Sequence, residues 1–81
     1  MYTNQQMQDL TKILIDAGNA REARDKMLIY FGMDEDKMFD SVEYLGSEGY
    51  LSYDEINMQG QRRPAPRITR INKAKCKSYF E

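Results

Sequence analysis

Chemistry in this chain has to come from a short roster of side chains. The 81 residues include no His and a single Cys, so the usual general base and the commonest nitrogen ligand of zinc are missing. Cys76 stands between Lys75 and Lys77. Neighbouring cations lower a thiol pKa, but the same residue suits a small apolar position on a helix in a reducing compartment. Neither Cys76 nor the Ser/Thr hydroxyls have a histidine to activate them. The carboxylates of Asp34, Glu35 and Asp36 look at first like metal ligands. A calcium loop begun at Asp34, however, would put Met38 at position 5 and Phe39 at position 6, where an oxygen ligand and a glycine are required. Acids in the first turn of a helix account for them better. The sequence therefore gives no reason to expect an enzyme, a metal or a cofactor.

What remains is charge, and it is unevenly placed. Residues 1 to 60 carry five Lys/Arg and twelve Asp/Glu, giving −7, whereas residues 61 to 81 carry seven and one, giving +6. A formal net charge of −1 hides this dipole. Arg62, Arg63, Arg67 and Arg70 crowd one stretch, followed by Lys73, Lys75 and Lys77. Such a patch suits phosphates, and an arginine at the tip of a loop suits a narrow minor groove.

The elements that would position these residues follow from apolar periodicity. Met7, Leu10, Leu14 and Ala17, flanked by Ile13, mark an amphipathic helix of about fourteen residues. Gly18 falls at its C′ position, and Asn19 with Glu22 imitates a capping box that opens a second helix at once. That helix, carrying Ala23, Met27, Tyr30 and Phe31, ends near Gly32. A third begins at the N-cap Asp34, with Met33 placed to staple onto Met38, and runs through Val42 and Leu45 to about Glu48. Gly46 weakens it by about 1 kcal/mol relative to alanine, which suggests close packing there. Gly49 provides the C-terminal cap.

Beyond Gly49 the aromatic and β-branched content of Tyr50 to Tyr53 and Ile56 predicts a strand. Gln59-Gly60-Gln61 and Pro64-Ala65-Pro66 predict an irregular loop with Met58 at its turn, and Arg67 to Ile71 a return strand. Asn72 caps a last short helix carrying Cys76, Tyr79 and Phe80. Met7, Met27 and Met38 fall on buried stripes and read as core; Tyr44, Tyr50 and Tyr53 read as packing around the hairpin before they read as base-stacking residues. A lone cysteine excludes an internal disulfide, so packing must hold this single domain spanning residues 1–81. No run approaches the ~20 apolar residues of a membrane-spanning helix, and a soluble, cytoplasmic protein is expected.

Three helices, a β-hairpin and a terminal helix is an α+β, mainly helical order that resembles the winged helix-turn-helix superfamily. Tyr44-Leu45-Gly46-Ser47-Glu48-Gly49-Tyr50-Leu51 resembles the exit from the third helix in such proteins, and Arg67-Ile68-Thr69-Arg70-Ile71 through Tyr79-Phe80-Glu81 the strand and helix after the wing. The resemblance implies double-stranded DNA as a partner, a role in transcription regulation, and dimerisation. Contacts would come from Arg62, Arg63, Arg67 and Arg70 in the wing, with Lys73 and Lys75 on the backbone.

The sequence departs from that pattern in its third helix. This element enters the major groove in DNA-binding members, but here Asp34, Glu35, Asp36, Asp40, Glu43 and Glu48 are countered only by Lys37. A polyanion would repel it. The alternative expectation is a protein-interaction module in which Asp36, Asp40 and Glu43 bind a basic partner without nucleic acid, or the basic end of a second copy of the chain.

Overall fold

The computed structural model describes residues 2–57 and 59–81, so the turn position expected for Met58 lies outside the described residues. Three helices, α1 (Asn4–Asp16), α2 (Ala20–Tyr30) and α3 (Glu35–Ser47), precede strands β1 (Leu51–Ile56) and β2 (Ala65–Ile71) and the short α4 (Lys73–Ser78). The strands form one antiparallel hairpin. The architecture is α+β with the layout of a winged helix.

Local chemistry sets the helix boundaries. Thr3 and Gln6 form a capping box at α1, and Asp34 and Asn72 accept from the backbone N–H groups of Lys37 and Lys75 to start α3 and α4. Asn19 caps α2 by accepting from the Glu22 N–H at 2.8 Å. The expected reciprocal bond is displaced by one residue, because the Glu22 carboxylate accepts from the Gly18 N–H rather than from Asn19. Both α2 and α3 end in Schellman turns. Met33 and Gly32 donate back to Leu28 and Ile29, and Tyr50 and Gly49 donate to Leu45 and Gly46.

The turn between α2 and α3 corrects the expected staple. Met33 has φ 68° and is 64% exposed, so its side chain stays in solvent while Met38 is fully buried. Gly32, at φ 67°, is the left-handed residue of the Schellman turn, and the second left-handed residue, Met33, carries its side chain away from the core.

The core joins one face of each helix to the inner face of the hairpin. Leu10 and Leu14 from α1, Met27 from α2, and Met38, Val42 and Leu45 from α3 are fully buried, and Phe39, Leu51, Ile68 and Cys76 join the cluster. Met7 belongs to it as well. Two polar side chains are buried among them, each returning its hydroxyl to its own helix: Thr11 donates to Met7 at 2.7 Å and Ser41 to Met38 at 2.6 Å. Gly46 meets the expectation of close packing, since any Cβ there would collide with the Tyr53 ring.

Strand β2 begins at Ala65, two residues before the expected start, and takes in Pro66 opposite Glu55. Each strand of a two-stranded sheet has a free edge, so a residue without an N–H fits. A bulge between Ser52 and Tyr53 shifts the register so that Tyr53 faces Ile68 and Asp54 faces Arg67.

Candidate interaction surface

Asp36, Asp40 and Glu43 recur at intervals of four and three, which places them on one face of α3. The hairpin folds back over that face and delivers Arg63 to all three. Its Nη1 lies 3.1 Å from Asp40 Oδ1 and 3.7 Å from Asp36, and its Nη2 lies 3.0 Å from Glu43 Oε2. The guanidinium also sits over the Phe39 ring, 5.6 Å from its centroid. Bonding to Glu43 and then Asp40 raises the Arg63 pKa above its ordinary value. The residues of the two expected binding surfaces, one basic and one acidic, thus meet within a single chain. Three carboxylates against one guanidinium leave −2 on this face, and Asp34 and Glu35 adjoin it at the start of α3.

The remaining basic candidates are distributed differently from a phosphate-binding patch. Arg67 holds Asp54 across the hairpin, through Nε at 3.0 Å and Nη2 at 2.6 Å. That bidentate bond lowers the Asp54 pKa. Lys73 reaches the C-terminus of α1, donating to the carbonyls of Ile15 at 2.9 Å and Ala17 at 2.6 Å. Lys75 does the same for α3, donating to the Glu48 carbonyl, with its ammonium 5.0 Å from the centroid of the Tyr50 ring. Gly49, at φ 87°, leaves open the space that Lys75 occupies. These two lysines satisfy helix-end carbonyls and complement helix dipoles.

Among the described residues, Arg62 and Arg70 are the two candidates with neither an ion pair nor a side-chain hydrogen bond. They do not form a patch. Arg62 stands beside Asp34–Asp36 at the tip of the hairpin, and Arg70 beside Gly46 and Gly49 at its base. The rise of β2 from Ala65 to Arg70 alone is about 17 Å. The aromatic candidates are half-buried against the core: Tyr44 meets Tyr2 edge-on at 5.3 Å, and Tyr50 and Tyr53 line the hairpin. Burial raises the pKa of the Cys76 thiol in spite of nearby Lys73, which leaves it inert rather than activated.

Sequence reasoning did not single out Phe39 or Asp54. The signal for Phe39 was its place at i+3 from Asp36, between Asp36 and Asp40. Asp54 becomes visible only once the bulged register is known. No helix among the described residues is long and apolar enough to cross a membrane, and no group of His, Cys, Asp or Glu among them is arranged to hold a metal ion. No family model, curated protein or solved structure matches the chain, and the reading of this surface rests on its own residues.

Proposed function

We propose that the protein is a winged-helix protein-interaction module whose α3 face captures arginine side chains of a basic partner. The observation that carries this reading is the seating of Arg63. A guanidinium held by Asp40 and Glu43 over Phe39 supports it, and the surplus of carboxylates leaves room for further cations. Exposed ion pairs of this kind contribute about 0–1 kcal/mol each, so an incoming arginine can displace Arg63 at small cost.

The test is the anisotropy of a labelled nona-arginine peptide titrated with the wild type and with Asp36→Asn/Asp40→Asn/Glu43→Gln. The site-specific reading expects loss of about tenfold or more in that variant. A control that neutralises Asp16, Asp25 and Glu55, the same number of charges elsewhere, should lose much less. Equal losses would reduce the interaction to net charge and remove the site.

A second reading, wing-led binding of double-stranded DNA by a regulator, is favoured by the exposed Arg62 and Arg70, which are unpaired among the described residues. It has against it the acids of α3, which stay beside the duplex even if phosphates win Arg63 and Arg67 from their partners. Dimerisation through opposite charged ends is weakened for the same reason, since part of that complementarity is satisfied within the chain.

A further inference from the structure

We infer that the cleft between the start of α2 and the hairpin is a binding site for a small hydrophobic carboxylate, distinct from the acidic face of α3. The cleft has a volume of about 390 Å³, within the range of small-molecule sites. Ala20, Phe39, Ile56, Ala65, Pro66 and Ile68 give it an apolar floor. Its polar lining consists of Arg21, Arg24, Arg67 and Gln61, and no carboxylate lines it among the described residues.

That combination is unusual in a chain whose first 60 residues carry a net charge of −7. Arg21 and Arg24 from that acidic segment and Arg67 from the hairpin line the same apolar concavity. Arg21 has no charged partner among the described residues. Arg24 has only loose ones, Asp25 at 3.4 Å and Glu35 at 3.9 Å. The bond from Arg67 to Asp54 engages Nε and Nη2 and leaves Nη1 available. An anion entering the cleft gains charge-assisted hydrogen bonds at the rim, and an apolar tail covers the half-buried Ala20, Ile56 and Ala65. A cation of the same shape finds no carboxylate among the described lining residues and meets the unpaired charge of Arg21, and a neutral alcohol forfeits the charge of the rim.

Phe39 is shared by both sites, since it lines the cleft and its ring lies under Arg63. The carboxylate site stands on its own lining and does not depend on what binds α3.

The experiment titrates the protein with octanoate, octylamine and octanol, followed by methyl and amide NMR shifts. Octanoate should saturate with a Kd on the order of 0.1–1 mM, shifting Ile56, Ala65 and Ile68. Octanol should bind more weakly and octylamine not at all. Arg21→Ala/Arg24→Ala, at one exposed and one half-buried helical position where alanine is a good helix former, should weaken octanoate about tenfold and erase the preference over octanol. Four outcomes overturn the site: no saturation by octanoate, equal binding of octylamine, shifts that map elsewhere, or an unchanged octanoate affinity in the double variant.

Discussion

The ammonium of Lys73 lies 2.6 Å from the carbonyl oxygen of Ala17, at the end of a helix that has no left-handed cap of its own. The other two long helices close on Schellman turns, but Ala17 has an extended conformation, with ψ 133°. Gly18, at the C′ position, is not among the glycines of positive φ. A side chain from the last helix therefore does for α1 what a glycine does for α2 and α3, and in doing so it pins α4 to the helical core. Lys73→Met keeps the aliphatic stem but removes both hydrogen bonds and the charge at the helix end. It should destabilise the protein by about 1–2 kcal/mol, read from urea unfolding, and leave the affinity of any polyanion per folded molecule nearly unchanged.

Gly46 faces the Tyr53 ring with no space for a methyl group. Alanine is intrinsically the better helix residue by about 1 kcal/mol, yet Gly46→Ala should destabilise by about 1–3 kcal/mol because the ring must move. In a double-mutant cycle with Tyr53→Ala the penalty at position 46 should disappear or reverse. A penalty that survives the loss of the ring would place its cause elsewhere.

Met33 carries a backbone conformation that costs a non-glycine residue about 1–2 kcal/mol, and its exposed side chain recovers little of that. Met33→Gly should therefore stabilise the fold by about 0.5–1 kcal/mol, after allowance for the greater freedom of glycine in the unfolded chain. Thermal unfolding reads the sign directly.

The Tyr30 hydroxyl donates to Asp9 Oδ2 at 2.8 Å and ties the end of α2 to α1. Burial, the bond to Asp9 and the charge of Asp9 push its pKa from 10.0 to about 12. A native pKa above the unfolded value means that the stabilisation is complete below about pH 10 and is lost as pH rises through about 12. The stability difference between wild type and Tyr30→Phe should accordingly be constant from neutral pH to about 10 and shrink above it. Urea midpoints across pH 7 to 11.5 test this, and a difference that grows with pH would contradict it.

Much of the frame was legible because its determinants are local. The apolar stripes of α1 and α3, the N-caps Asp34 and Asn72, and the stop at Gly49 each depend on residues within a turn or two of one another. The capping box at Thr3 and Gln6 was equally local, but it lies ahead of the first apolar residue of the stripe and escapes a search led by hydrophobicity. The candidate surface was half legible. Asp36, Asp40 and Glu43 share a face by spacing alone, and the clustering of arginines after residue 60 is plain. What one strand of text cannot show is that the hairpin curls over α3, because that depends on the bulge after Ser52 and on how β2 packs against α2 and α3. The roles of Lys73 and Lys75 were hidden for a similar reason: their partners are backbone carbonyls far away in sequence, which have no residue type to betray them.

The most direct test of the proposed guanidinium-accepting face is the affinity of nona-arginine for Arg63→Ala against wild type, with a mixed-sequence duplex of about 30 base pairs titrated alongside. Removing the resident arginine vacates the carboxylates and makes the face more negative by one charge, so peptide affinity should rise by about three- to tenfold while the fold loses about 1–3 kcal/mol. Weaker peptide binding by Arg63→Ala, together with salt-sensitive duplex binding by the wild type that this substitution diminishes, would contradict the account and assign Arg63 to nucleic acid.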